Sequence, residues 1–157
     1  MNFELWSRIR EEKNHFVHDM NVKLDYMGVN TARVSLMVEK RHLNINETVH
    51  GGVYMSLADT AAGAACMYLR EIVTTMDLQC RFLSPARIGQ RLAATANIVK
   101  TGRTILVAEI DITADGKLVA KATSSFYRIH QEPPYFQEID EMERKAAEDA
   151  AADRERP

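Results

Sequence analysis

The sequence predicts an α+β domain in which a mainly antiparallel sheet wraps around one long apolar helix. Two observations indicate this arrangement. Residues 51–69 hold a single charged side chain, Asp59, and a run that is apolar on every other side is typical of a buried helix. After Arg70, four segments alternate apolar and polar residues and are joined by turn sequences, as antiparallel strands are. The chain has 157 residues, of which 46% are hydrophobic, so it is long enough to bury one core.

A helix and a hairpin are predicted before the apolar run. Residues 3–17 carry apolar side chains at helical spacing, which predicts an N-terminal helix. Residues 22–26 and 32–39 alternate on either side of Gly28, which predicts a β-hairpin. A polar loop over residues 41–50 then leads into the long helix at Gly51.

Four strands are predicted after the helix, at residues 76–82, 92–99, 105–113 and 118–127. Ser84-Pro85 ends the first of them, and Asp115-Gly116 is a strong hairpin signal between the last two. The alternation in the first strand places four apolar residues on one face: Met76, Leu78, Cys80 and Phe82.

The tail beyond Pro133-Pro134 differs in composition from the rest of the chain. Residues 136–156 are acidic and rich in alanine, with a weak apolar stripe at Ile139, Met142 and Ala146. We therefore predict one domain over residues 1–130 and an extension over 131–157 that is partly helical or disordered, with a helix docked along its first half at most.

Composition limits the possible partners and the compartment. A formal net charge of -2 gives no basic footprint for nucleic acid. The charged N-terminus lacks the apolar stretch of a signal peptide, so we expect a cytoplasmic protein whose two thiols, Cys66 and Cys80, are reduced core residues. The run 51–69 has the length of a membrane span, but Asp59 and three glycines argue against that reading, and we expect no membrane association.

Asp59 is the first candidate for a functional residue. A carboxylate on an apolar helix is costly unless it is paired or hydrogen-bonded, and carboxylates in such settings are often found at active sites. The alternative is an aspartate that satisfies a donor inside the core.

The loop and helix together resemble a known signature. Asn44 lies six residues before His50, His50 opens the sequence His-Gly-Gly with Gly51 and Gly52, and Asp59 follows nine residues after His50. This pattern closely resembles that of hotdog-fold acyl-CoA thioesterases of the phenylacetate-degradation type. The sequences 83–89 and 100–104 resemble the end of a strand and a hairpin of the same family. One departure is Glu47, where the family commonly has a glycine.

The resemblance implies a hotdog fold, hydrolysis of acyl-CoA and a site shared across a homodimer, with a dimer of dimers as the expected assembly. The Gly51 N–H would bind the thioester oxygen, since a helix N-terminus with a glycine is suited to an oxyanion. Asp59 would act from the partner as nucleophile or general base, because eight residues of helix, about 12 Å, separate it from Gly51. Asn44 and His50 would orient substrate or water, and Thr75 would assist the carboxylate.

Each of these roles has a simpler alternative. The alternative for Asn44 is a turn residue without a role in the site. The alternative for His50 is a loop histidine, and that for Thr75 is an ordinary strand residue. Gly52 and Tyr54 are further candidates for substrate contact. CoA carries phosphates, so basic residues are expected at its entry, and the candidates are Arg81, Arg87, Lys100 and Arg103. The alternative is that these residues belong to the solvated rim of the sheet.

No metal or redox cofactor is implied. His15 and His18 are three residues apart but lack a third ligand nearby in the sequence. Two other functions stay open: a hotdog hydratase or dehydratase, which would also pair a histidine with a carboxylate, and a non-catalytic acyl-CoA binder.

Overall fold

The sheet has six antiparallel strands in the spatial order β1-β2-β4-β5-β6-β3. The computed structural model describes residues 3–154. The strands are β1 Lys23–Gly28, β2 Thr31–Met37, β3 Val73–Phe82, β4 Arg91–Thr101, β5 Ile105–Ala114 and β6 Lys117–Arg128. All the predicted strands are present, and the hairpin turn at Asp115-Gly116 joins β5 to β6 because both residues take positive φ, as such a turn requires.

The sheet curves around one central helix. The helices are α1 Phe3–Lys13, α2 His15–Asp19, α3 Gly51–Ala65 and α4 Tyr135–Arg154. α3 packs chiefly on β4 and β2. Its inward residues Ala58, Ala61 and Ala65 are fully buried, and these small side chains let the sheet come close to the helix. The prediction of an antiparallel sheet around one apolar helix is confirmed.

Two predicted helices differ from the structure at their ends. The N-terminal helix is broken, because the side chain of Asn14 accepts the N–H of Val17 at 3.2 Å and so starts the new helix α2. The central helix ends at Ala65 rather than Leu69, and a 3-10 turn at Met67–Leu69 stops at Arg70, which takes a left-handed conformation. None of the helices within residues 3–154 has both the length and the hydrophobicity of a membrane span.

Strand β3 lies at an edge of the sheet, which corrects the prediction of one apolar inward face. Leu78 and Cys80 are half-buried, but Met76 and Phe82 are exposed by 54% and 53%. A β-bulge between Thr75 and Asp77 displaces Met76 from the alternation. Periodicity alone cannot distinguish an edge strand from a central one.

The terminal helices form a second apolar cluster, in which Trp6 and Ile9 of α1 pack against Phe136 and Ile139 of α4. Arg70 ties α4 to the body of the domain. Its guanidinium donates to both carboxylate oxygens of Asp140 at 2.9 and 2.6 Å and lies 4.6 Å from the centre of the Phe136 ring. The first half of the predicted C-terminal helix is therefore docked, whereas the domain boundary near residue 130 stays a prediction.

Candidate functional site

One face of α3 is not covered by the sheet, although the sequence predicts a helix that is buried all round. Its small and polar residues recur every three or four positions, which places them on one side of a helix: Gly52, Ser56, Asp59, Thr60 and Gly63. Asp59 is half-buried there. The spacing of these residues was the available signal for an open face, but a reading of hydrophobicity alone counts glycine and serine as neutral.

Asp59 and Thr75 are brought together by α3 and β3. The Thr75 hydroxyl donates to Oδ1 of Asp59 at 2.7 Å. Thr75 is the last residue before the bulge at Met76, and β-bulges often redirect side chains beside active sites. The hydroxyl that the resemblance implied is therefore in contact with the carboxylate.

His50 caps the N-terminus of α3. Its Nδ1 accepts the N–H of Gly52 at 2.9 Å, so in the neutral ring Nε2 carries the proton. The N–H of Gly51 is the first of the helix and has no partner within it. A Cβ on Gly51 would lie 3.3 Å from the Phe82 ring, so a side chain there would need Phe82 to move.

Asn44 holds the loop that leads to His50. Its Oδ1 accepts the N–H of Asn46 at 2.8 Å and that of Thr48 at 3.3 Å. Glu47, between them, takes φ +57, the left-handed conformation in which glycine is common. Glu47 thus adopts the backbone that the family's glycine would favour, and its side chain is exposed.

The two halves of the predicted site are apart within one protomer. Asp59 and Thr75 lie beside the middle of α3, whereas Gly51 and His50 lie at its start, about 12 Å away along the helix. The structure therefore does not assemble one site from the residues of a single chain.

The remaining predicted residues are scattered. Tyr54 is buried, its hydroxyl accepts the N–H of Ala86 at 2.8 Å, and burial raises its pKa, so it lies in the core rather than on the open face. Arg81 and Arg87 lie near the end of β3, where α3 begins. Lys100 and Arg103 lie at the turn between β4 and β5, at the opposite end of the sheet. All four cations are exposed.

Neither thiol has the environment of a nucleophile. Burial raises the pKa of Cys66 to about 12, and burial also raises that of Cys80, so both stay protonated at neutral pH. Within the described part of the chain, no three metal-ligating side chains come close enough to hold an ion.

Asp59 and Thr75 lie on the wall of a cavity of about 1160 Å³. The cavity extends from α3 and β3 to α1, α2 and the start of α4, and most of its lining is apolar. The Asp59 carboxylate thus lies on the wall of a large, mainly apolar cavity.

The chain belongs to the thioesterase superfamily, whose members have the hotdog fold. Residues 46–121 match the model of that family. A mouse protein, acyl-coenzyme A thioesterase 13, is 34% identical over 90 residues, which are 55% of this chain and 64% of the mouse protein. The chain thus spans just under two thirds of that relative. An esterase predicted in Saccharolobus solfataricus is 30% identical over 111 residues, 69% of this chain and 79% of its own length.

Solved structures show the same fold. The PaaI protein of the E. coli phenylacetic acid degradation operon has a TM-score of 0.77 and 27% identity, covering 82% of this chain and 95% of that one. A hypothetical thioesterase from Streptococcus pneumoniae, solved with coenzyme A, has a TM-score of 0.68 and 26% identity, covering 72% of this chain and 92% of that one. Variants of the pneumococcal protein have also been solved in which an aspartate, or a threonine sixteen residues later, is replaced by alanine.

Proposed function

We propose that this protein hydrolyses acyl-CoA thioesters to a free acid and CoA, with the contact between Asp59 and Thr75 at the centre of the site. The observation that carries the proposal is the 2.7 Å hydrogen bond between these side chains on the open face of α3. The relatives support it, because the mouse protein bears the name of an acyl-CoA thioesterase and the pneumococcal one holds coenzyme A. Asp59 and Thr75 are also sixteen residues apart, like the two residues substituted in the pneumococcal protein.

The active form in this proposal is a homodimer. Strand β3 is an edge strand whose outer side has no partner among residues 3–154, and it exposes Met76 and Phe82. An exposed apolar edge strand favours pairing with a second chain. A two-fold axis at this edge would bring the Gly51 end of one helix α3 to Asp59 of the other, which the 12 Å separation within a protomer requires. A dimer of dimers and a cytoplasmic location remain part of the proposal.

The chemistry follows from the groups available. Asp59 either attacks the thioester carbon itself or takes a proton from a water that attacks it, and the Thr75 hydroxyl holds the carboxylate in position. The carbonyl oxygen becomes an oxyanion, which the Gly51 N–H of the opposite chain stabilises. Collapse of the intermediate breaks the C–S bond, and CoA leaves as a thiolate that takes a proton. On the nucleophilic route, a water then hydrolyses the acyl-aspartate anhydride.

His50 and Asn44 support this geometry in our proposal by holding the start of α3, the first as its cap and the second through its loop. Gly52 supplies the capped N–H. The CoA phosphates would be held by exposed cations, of which Arg81 and Arg87 lie at the Gly51 end and Lys100 and Arg103 at the other. Tyr54 acts from the core beneath this site rather than by touching substrate.

The experiment is thiol release from a panel of aryl and aliphatic acyl-CoAs, with wild type and Asp59→Asn. Loss of turnover in a variant that is still folded would support hydrolysis at Asp59. Turnover that survives the substitution would make Asp59 structural and the proposed site wrong. Absence of thiol release from every member of the panel would favour a hydratase, detectable by hydration of enoyl-CoA, or a binder, detectable as thermal stabilisation by acyl-CoA without turnover.

The shared site has its own test. Asp59→Asn and Gly51→Val should each be inactive as homodimers, since one lacks the carboxylate and the other obstructs the oxyanion donor. Mixed subunits would then regain activity, because one of the two sites in the heterodimer keeps both groups. Mixed subunits that stay inactive would contradict a site built across two chains.

A further inference from the structure

The cavity beside Asp59 has the size and lining of a site for a large apolar group. Its volume of about 1160 Å³ exceeds the roughly 300–1,000 Å³ that encloses most of a drug-sized ligand. Much of its apolar lining is aliphatic or thioether, including Ile9, Leu24, Met27, Met55 and Met67. Methionine adapts to flexible apolar ligands, because it has three rotatable bonds and a polarisable sulfur.

The cavity extends from Asp59 toward the end of α3. Met67 lies eight residues beyond Asp59, in the 3-10 turn that follows the end of α3, and both line the cavity. The hydroxyl of Tyr135, at the start of α4, is 3.9 Å from the Met67 sulfur. A thioester carbonyl at Asp59 would therefore have its acyl group directed toward the terminal helices.

Gly63 leaves space in the part of the cavity between Asp59 and Met67. It lines the cavity one helical turn beyond Asp59, and a Cβ built on it meets no atom within 4 Å. A glycine inside a helix costs roughly 0.5–1 kcal/mol relative to alanine. Close packing does not explain this glycine, because a side chain would fit there. The space that a side chain would fill is part of the cavity.

The far wall of the cavity comes from parts of the chain outside the segment that matches the family. Trp6 and Tyr135 line it, and their rings pack edge to face with centroids 5.5 Å apart. The apolar cluster of the terminal helices and the ion pairs of Arg70 hold this wall against the domain. The family core supplies Asp59, and the terminal helices close the space in front of it.

We propose that this cavity is an acyl chamber for a long aliphatic chain, that Gly63 is the residue that keeps it open, and that α1 and α4 close its far end. The effect of the chamber on turnover rests on the proposed hydrolysis of acyl-CoA, whereas the binding of an acyl chain in it does not. The chamber selects long acyl groups because only these reach the aliphatic lining beyond Gly63, and each buried methylene contributes about 0.8 kcal/mol.

The first test uses acyl-CoAs from acetyl to palmitoyl with wild type, Gly63→Leu and the matched control Gly63→Ala. Wild type should have its highest kcat/KM on long chains. Gly63→Leu should lose at least about tenfold on palmitoyl-CoA and much less on acetyl-CoA, and Gly63→Ala, which adds a single methyl group, should lose less on palmitoyl-CoA than Gly63→Leu. A wild-type preference for short chains, or an equal loss on all chains in Gly63→Leu, would overturn the chamber.

The second test is independent of turnover and uses the fluorescent fatty acid cis-parinaric acid. Wild type should bind it and Gly63→Leu should bind it at least about tenfold more weakly, while hydrogen exchange of α1 and α4 should slow in the wild-type complex. Failure of wild type to bind, or unchanged exchange in both terminal helices, would overturn the proposal. Binding without any thiol release would refute the proposed hydrolysis but keep the chamber, so the two failures can be told apart.

Discussion

Replacing Thr75 by valine tests the group that the structure places on Asp59. Valine has the same shape but no hydroxyl, so the 2.7 Å bond to Oδ1 is lost while the strand is kept. A hydrogen bond to a charged group contributes about 1.5–3 kcal/mol, and we take the lower end because Thr75 is exposed in the protomer. About 1.5 kcal/mol corresponds to a loss of roughly tenfold in kcat if the bond acts in the transition state.

The assay is thiol release under saturating acyl-CoA, with three companions. Thr75→Ser keeps the hydroxyl and should keep most of the activity. Thr74→Val makes the same chemical change one residue earlier on the strand, where side chains point to the other face, and should be neutral. Thr75→Val added to Asp59→Asn should cost little more than Asp59→Asn alone, because the two residues act together.

A Thr75→Val enzyme with wild-type kcat would refute the reasoning, since the hydroxyl would then be an ordinary strand group that happens to reach Asp59. Equal losses in Thr75→Val and Thr75→Ser would also refute it. That result would point to the shape of the bulge rather than to the hydrogen bond.

Three further predictions concern stability and reactivity. Glu47→Gly should raise the free energy of unfolding by about 0.5 kcal/mol in urea denaturation, because the left-handed strain on Glu47 exceeds the entropy that glycine adds to the unfolded chain; a lower midpoint would contradict this. Burial, followed by the charge of Arg41, lowers the pKa of His42 below 6.5. Below about pH 6.5 the unfolded chain therefore binds a proton at His42 more readily than the native state does, and the free energy of unfolding falls as the pH drops. His42→Asn keeps an acceptor for the Glu39 N–H but cannot titrate, so its stability should fall less between about pH 7 and pH 5, and an unchanged slope would contradict that assignment. Cys66, with a pKa of about 12, should resist iodoacetamide at about pH 8 until the protein unfolds, as mass spectrometry would show, and rapid labelling of the native protein would contradict its burial.

Most of the fold was predictable from the periodicity of the strands and from the turn residues between them. Alternation and the turn at Asp115-Gly116 act over a few residues, so they can be read directly from the sequence. The position of β3 at the edge cannot be read in this way, because it depends on which strand lies beside it. The break at Asn14 is a local signal, an asparagine that caps α2, but the helical spacing on both sides of it concealed the change of direction.

From the spacing of residues alone, the candidate site was predictable only within one loop and the helix that follows it. His50, Gly51 and Asp59 belong to one loop and helix, and their spacing was visible. The contact of Asp59 with Thr75 joins two elements and depends on a bulge, and the tie between Arg70 and Asp140 joins residues 70 positions apart. Hydrophobic periodicity encodes neither pair: the role of Thr75 was predicted only through the resemblance to the family, and the ion pair of Arg70 with Asp140 was not predicted.

The open face of α3 links these observations. A helix buried on all sides would need only apolar residues, yet this face carries glycines at both ends and a carboxylate between them. Gly52 belongs to the capped helix start, where a second chain's Asp59 is proposed to meet the thioester, and Gly63 leaves the passage along which the acyl group would lie. The apolar core therefore needs only the inward half of α3. The outward half costs stability through its glycines and its carboxylate, and the proposed site for a ligand and a second chain would account for that cost.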